Sequence, residues 1–491
     1  MSSRKLLAAG LIALPLAVVA PATAAQAAAC ARVKSDFNGD GRADVAAGAP
    51  QNPLGDSQGS VSIVYDPVGA GSAAVKQTIL GSALPVNHWL GESLASGYFD
   101  PDCYADLVVG VGSEPKIIVL RGSADGLTTE GAKSFDRFAI PGGEHHYLLG
   151  EAVAAGDFNG DGLDDIAAGA PDKSEDEWPG TTDGGAVAIF PGSADGATAT
   201  GGRWIMEGAD GMAGTASEFE VFGRALAAGD FTGDGFTDLA VGAPGEQNNA
   251  GGVLVAPGGP AGLTGAGSVF LDQSSPGVPG TREREDWFGG SLAAADVTGD
   301  GRADLVVGSP GEALGDLTDA GSIAVLPGSD AGPTGTGSFS FTQDTTGVPG
   351  TGERDDLFGR SVSTGDFNGD ARPDIAVGSP GEDVGKATDT GSVTILYGTG
   401  TGPSATGSRY VDQNSTGIPG SNETDDVFGG ALTALPGALV VGAPDEQTSS
   451  GSSDYVGAAS VLTGNLSAGT FFGPAQFPGA IPDGRLGFAL G

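Results

Sequence analysis

One nine-residue pattern returns along this chain, and its spacing constrains the fold more than any other feature. It reads DFNGDGRAD from Asp36, DFNGDGLDD from Asp157, DFTGDGFTD from Asp230, DVTGDGRAD from Asp296 and DFNGDARPD from Asp366. A worn copy, YFDPDCYAD, begins at Tyr98, and a further unit between Ala431 and Pro444 keeps its flanks without the acidic loop. Successive starts, the worn copy included, lie 62, 59, 73, 66 and 70 residues apart. That period is too long for a short helical repeat and suits a small sheet, the blade of a propeller.

Each unit carries the same punctuation around its loop. Upstream, glycine follows an apolar residue at Phe222-Gly223, Phe288-Gly289, Phe358-Gly359 and Phe428-Gly429, with weaker forms at Leu90-Gly91 and Leu149-Gly150. Downstream stands a Gly-small-Pro stop, at Gly48-Ala49-Pro50, Gly169-Ala170-Pro171, Gly242-Ala243-Pro244, Gly308-Ser309-Pro310, Gly378-Ser379-Pro380 and Gly442-Ala443-Pro444. Between loop and stop runs a short apolar segment such as Leu239-Ala240-Val241, with the length and composition of a buried strand. A second strand follows, as in Ile323-Ala324-Val325-Leu326. No 3.6-residue period competes, and 89 Gly with 30 Pro disfavour a mainly helical chain. The pattern predicts an all-β protein made of four-stranded antiparallel blades.

These residues resemble the FG-GAP repeat of integrin alpha chains and of exported bacterial proteins. The resemblance covers the chain beyond its first thirty residues and implies a seven-bladed β-propeller spanning residues 30–491 as one domain. The first unit lacks a Phe-Gly start, whereas Arg485-Leu486-Gly487-Phe488-Ala489-Leu490-Gly491 looks like one displaced to the far end. This tail is expected to dock beside the first blade and close the ring.

Each intact loop sets oxygen-bearing side chains at positions one, three, five and nine, with glycine at four and usually at six to allow sharp reversal. Hard cations favour that arrangement. The predicted ligand sets are Asp36, Asn38, Asp40 and Asp44 with the Arg42 carbonyl; Asp157, Asn159, Asp161 and Asp165 with that of Leu163; Asp230, Thr232, Asp234 and Asp238 with that of Phe236; Asp296, Thr298, Asp300 and Asp304 with that of Arg302; and Asp366, Asn368, Asp370 and Asp374 with that of Arg372. Three carboxylates plus neutral oxygens suit the six to eight ligands of calcium better than strict octahedral magnesium, and no His or Cys is near enough for zinc. About five calcium sites are expected. An EF-hand would need Glu at position twelve, where Asp36 leads to Ala47 and Asp157 to Ala168. Asp100, Asp102 and Asp106 form a weak or inactive set because Tyr98 replaces the first ligand. Ala371 stands where the turn wants glycine, at a cost of about 1–2 kcal/mol.

Residues 1–29 read as a secretory signal: Arg4 and Lys5, then the apolar run Leu6 to Ala20, then Ala25-Gln26-Ala27. No later segment approaches eighteen apolar residues, so no transmembrane segment is expected. Cys30 and Cys103, the only cysteines, are read as one disulfide of an exported protein, with two unpaired thiols, or lipidation of Cys30, as alternatives. A net charge of −40 repels nucleic acid. Gly55-Asp56-Ser57-Gln58-Gly59 matches the serine-hydrolase elbow, yet a strand follows where that motif needs a helix. Glu144-His145-His146-Tyr147 is expected to be a solvated loop rather than a site. Trp89, Trp178, Trp204 and Trp287 could line a binding face, although core packing is an equal reading for Trp89 and Trp287. The resemblance implies a secreted, monomeric recognition or adhesion scaffold for an extracellular protein or glycan, associated with the cell surface or free. The alternatives are a secreted hydrolase and a purely structural surface protein.

Overall fold

The computed structural model describes residues 32–50, 58–112, 114–171, 184–217, 219–447, 456–477 and 485–491. The signal sequence, Cys30, Ser57 and Trp178 therefore lie outside the described residues. Seven sheets of four antiparallel strands each follow one another, with almost no helix. Blade 5 is representative, with strands Ser291–Ala295, Asp304–Ser309, Ser322–Leu326 and Phe339–Phe341 in sequential order.

Composition follows each strand's place in the ring. The first strands of adjacent blades neighbour one another around the axis, so seven of them converge there and must be slim. Ser291–Ala295 is SLAAA. The second and third strands are covered on both faces by the neighbouring blades, so they read as continuous apolar runs without alternation. Every residue of Asp304–Ser309 and Ser322–Leu326 is buried. The cores lie between blades: Val253 and Val255 of blade 4 pack with Leu305 and Val307 of blade 5.

The paired glycines upstream and downstream of each loop have a steric cause. A Cβ on Gly308 would lie 2.1 Å from the Gly359 carbonyl of the next blade, and one on Gly242 would lie 2.2 Å from that of Gly289. The same approach recurs at Gly48 to Gly91, Gly110 to Gly150, Gly169 to Gly223, Gly378 to Gly429 and Gly442 to Gly487. All seven seams thus bring backbone against backbone, and no side chain fits. Gly308→Ala is expected to cost about 3 kcal/mol or more, read by urea unfolding. Gly400→Ala, whose Cβ would meet open space, should be nearly neutral; equal effects would remove the seam explanation.

The tail closes the ring as expected. Ala489–Leu490 pairs antiparallel with Val45–Ala49 and supplies the inner strand that blade 1 lacks. Gly491 and Ala46 exchange two backbone hydrogen bonds of 3.0 Å, and the Gly487 amide donates to the Gly48 carbonyl at 3.1 Å. In blade 7 the acidic loop is replaced by a two-residue turn, since Leu435 pairs directly with Ala438.

Candidate metal centres

In blades 3 to 6 the acidic loops join the first strand to the second, in blade 1 the loop precedes Val45–Ala49, and the Gly-small-Pro stop ends the second strand. Loops and glycine seams therefore sit at opposite ends of the same strands. Position two anchors each loop: Phe37, Phe158, Phe231, Val297 and Phe367 are buried among the interblade clusters.

Position one then organises the turn. In blade 4 Asp230 accepts amides from Gly233 at 2.6 Å, Asp234 at 3.1 Å and Gly235 at 2.9 Å. Asp157, Asp296 and Asp366 accept the same three amides of their loops. Asp36 accepts those of Asp40 and Gly41. Position five accepts the amide of position seven, as Asp300 does from Arg302 at 2.9 Å, with Asp40, Asp161, Asp234 and Asp370 serving Arg42, Leu163, Phe236 and Arg372 in the same way. Position-one Oδ2 and position-five Oδ1 each accept a single backbone amide and so keep a further lone pair for a cation.

Position nine is the buried end of the cup. Asp44, Asp165, Asp238, Asp304 and Asp374 are between 0% and 2% exposed, and each ties its loop to the end of the blade's third strand. Asp238 accepts from Gly258, Asp304 from Gly328 and Asp374 from Gly398. Burial pushes all five carboxyls up, Asp44 and Asp165 to about 7 and Asp374 to about 6. The neighbouring loop aspartates add to the rise at Asp44 and Asp165. Position three reaches the same cup: Thr298 Oγ1 lies 3.3 Å from Asp304, Asn159 Nδ2 3.2 Å from Asp165 and Thr232 Oγ1 3.5 Å from Asp230. Among the described residues the three carboxylates of a loop do not come within 4.8 Å of one another as a trio. Each carboxylate is tied instead to backbone amides of its own loop or of the third strand, and a bound cation would have to draw the three together. The donor set is all oxygen and fits a hard divalent ion.

Two departures match their sequence differences. In the worn loop of blade 2, Tyr98 turns its hydroxyl to the Val33 carbonyl at 2.8 Å. The Arg121 guanidinium pairs with Asp100, and with Asp102 at 3.5 Å, so a built-in cation stands where the other loops leave room. Arg121 was not singled out from the sequence, because it lies a strand away from the loop it fills. In blade 6, Ala371 is left-handed with φ 66°. A Cβ at the equivalent Gly41, Gly162, Gly235 or Gly301 would meet nothing within 4 Å, so the cost at Ala371 is conformational alone. Ala371→Gly is expected to stabilise the protein by roughly 0.5–1 kcal/mol, the relief of the left-handed strain less the extra chain entropy of glycine. Thermal unfolding of the variant checks this, and a loss of stability would contradict it.

Other candidates from the sequence stand as follows. His146 is not solvated: it is buried, with its ring 4.3 Å from that of Trp204. Trp89 is 38% exposed and so is not a core residue. No free thiol occurs among the described residues, Cys103 included. At the glycine-seam end, Trp287 lines a cavity of about 290 Å³ together with Arg224, Arg360, Asn249, Pro244 and Pro310. Sequence reasoning passed over both arginines, although each directly follows a Phe-Gly pair where the other two Phe-Gly units have Gly290 and Gly430.

Comparison with known proteins agrees with this architecture. The FG-GAP repeat profile matches residues 34–64, 149–190, 222–271, 288–326 and 358–396. Integrin alpha-5 of Xenopus laevis is 32% identical over 229 residues, covering 45% of this chain and 20% of that protein. Integrin alpha-8 of Mus musculus is 30% identical over 244 residues, covering 49% and 21%. The phosphatidylinositol-glycan-specific phospholipase D of Rattus norvegicus is 34% identical over 111 residues, covering 23% and 13%. The chain thus matches about a fifth or less of the length of these relatives. With five regions that match the FG-GAP repeat, seven four-stranded blades and glycine seams at every interface, this chain is a seven-bladed β-propeller that carries FG-GAP repeats and is similar over part of its length to integrin alpha chains.

Proposed function

We propose that this chain is an exported recognition scaffold that calcium stiffens on one face and that binds an extracellular protein or glycan on the other. The supporting observation is the segregation of its chemistry. Five oxygen-lined loops occupy one end of the blades, and the aromatic and guanidinium-lined cavity occupies the other. Calcium would be held by the side chains at positions one, three, five and nine of each loop, with the carbonyls of Arg42, Leu163, Phe236, Arg302 and Arg372. It would supply charge neutralisation and rigidity, and no bond is made or broken. Cys103 is read as the disulfide partner of Cys30.

On a surface this acidic, Arg224 and Arg360 beside Trp287 form a place for an anionic group, a carboxylate or sulfate on the ligand. Arg224 is itself held at 3.0 Å from Glu151 and lines the cavity beside Arg360. The integrin likeness favours a protein ligand. The mature chain, immobilised with calcium, is expected to capture ligands from a panel of extracellular proteins and sulfated or carboxylated glycans. Chelator, Arg360→Ala and Trp287→Ala should each reduce capture; capture indifferent to all three would overturn the proposal.

A hydrolase reading has the likeness to phospholipase D in its favour. It predicts turnover of phosphodiesters or esters that survives Ser57→Ala and is lost with His145 or His146. Absence of turnover on both substrate classes would end it.

A further inference from the structure

A second kind of oxygen cluster lies away from the acidic loops, where the connection from blade 3 to blade 4 crosses the end of blade 4's second strand. Glu207 follows the outer strand of blade 3, Glu220 precedes the inner strand of blade 4, and Glu246 follows the stop Gly242-Ala243-Pro244. One oxygen of each lies within 4.8 Å of the other two. They are 4%, 0% and 8% exposed. The Gly245 amide donates to the Glu220 carbonyl at 2.9 Å and fixes two of the three against each other.

The equivalent positions of blades 4, 5 and 6 explain why this cluster is unusual. There the first residue is glutamine, and its amide donates to the glutamate: Gln273 to Glu312 at 2.6 Å, Gln343 to Glu382 at 2.5 Å and Gln413 to Glu446 at 2.5 Å. The middle residue is aspartate, and it accepts a backbone amide: Asp286 from Glu283 at 2.6 Å, Asp356 from Glu353 at 2.6 Å and Asp426 from Glu423 at 2.7 Å. At the junction of blades 3 and 4 the glutamine donor is missing. Glu207 replaces it, and neither carboxylate oxygen of fully buried Glu220 meets a donor at normal hydrogen-bond geometry, although Ser217 interacts with it from its own connection. Glu207 Oε1 is held by the Thr215 amide at 2.8 Å, while Glu207 Oε2 and Glu246 Oε2 are also without partners.

Buried carboxylate oxygens without donors are costly unless a positive charge meets them. Oxygens within 4.8 Å of one another can share one divalent ion, and an irregular set of three carboxylates suits the flexible six- to eight-ligand shell of calcium better than the strict octahedron of magnesium. We infer that Glu207, Glu220 and Glu246 bind one divalent cation of calcium's size at the junction of blades 3 and 4, a site separate from the five acidic loops. The ion replaces the amide hydrogens that the other junctions hold and locks two blades together.

The test compares the intact mature chain with Glu207→Gln, which restores the side chain that three other blades carry at this position and so keeps the fold. Glu220→Gln is the second variant. After equilibrium dialysis against calcium and elemental analysis, the wild type is expected to hold one more calcium per chain than either variant. The calcium-induced rise in melting temperature should be smaller in both variants, while in chelator they melt no lower than wild type. Equal calcium content in all three chains overturns the inference and leaves protons as what the cluster holds. Because the readout is a difference, it does not depend on the loops: if they bind nothing, the total falls but the difference of one remains.

Discussion

Stripped of metal, this protein is expected to melt far below its calcium-loaded form. A site filled at a hundredfold its dissociation constant adds about 2.7 kcal/mol. Unfolding entropy of about 2.1 cal/mol/K per residue makes 1 kcal/mol worth roughly 1 °C in a ring of this size, so five such sites raise the midpoint by roughly 10–15 °C. The pH dependence has opposite signs in the two forms. Asp44, Asp165 and Asp374 have folded pKa values near 7, 7 and 6 because they are buried, above the unfolded value near 4. A carboxyl raised in this way favours the folded state at pH below its unfolded value, and loses that contribution as pH rises through 6 and 7. Glu312, Glu382 and Glu446, raised by burial to about 7, act in the same direction. The metal-free midpoint should therefore fall between pH 5 and pH 8, while the gain on adding calcium should grow as protons cease to compete. Calorimetry with and without chelator at both pH values measures this, and a midpoint indifferent to chelator in metal-stripped protein would falsify calcium as a structural element.

Deleting residues 485–491 is expected to cost roughly 5–8 kcal/mol, comparable with the whole stability of many domains. Leu486 is buried against Ala438, Val440 and their neighbours, and losing such a side chain costs about 2–5 kcal/mol. The closing backbone bonds add about 1 kcal/mol each. The deletion also leaves blade 1 with three strands and an open edge beside the axis, which invites pairing between molecules. Gel filtration should show aggregates or dimers, and Leu486→Ala alone should reproduce only the first part of the loss. A truncated chain that stays monomeric with an unchanged midpoint would show that the ring does not need this latch.

Much of this could be read from residues close together in the chain. Asp230, Gly233, Asp234 and Gly235 lie within six positions, and the carboxylate of the first captures the amides of the others through local geometry alone. Ala371 is a similar case: its left-handed backbone followed from its place in the nine-residue pattern. The displaced tail was legible because Leu486-Gly487 copies the start that the first unit lacks. His146 went the other way: its neighbours in sequence suggested a solvated loop, whereas the distant Trp204 covers it, and Trp89, left open between a binding face and the core, is exposed.

The sequence by itself determined the number of repeats, the four-strand unit and the oxygen positions of each acidic loop, because these depend on residues within one blade or on exact repetition. Only the tertiary structure decided that Arg121 fills the blade 2 cup, that Arg224 and Arg360 meet Trp287 around one cavity, and that Glu207, Glu220 and Glu246 converge in one buried cluster. Those groups come from separate strands and connections. Their distances are set by ring closure and by the backbone contact at each glycine seam, and no local pattern in the chain encodes either.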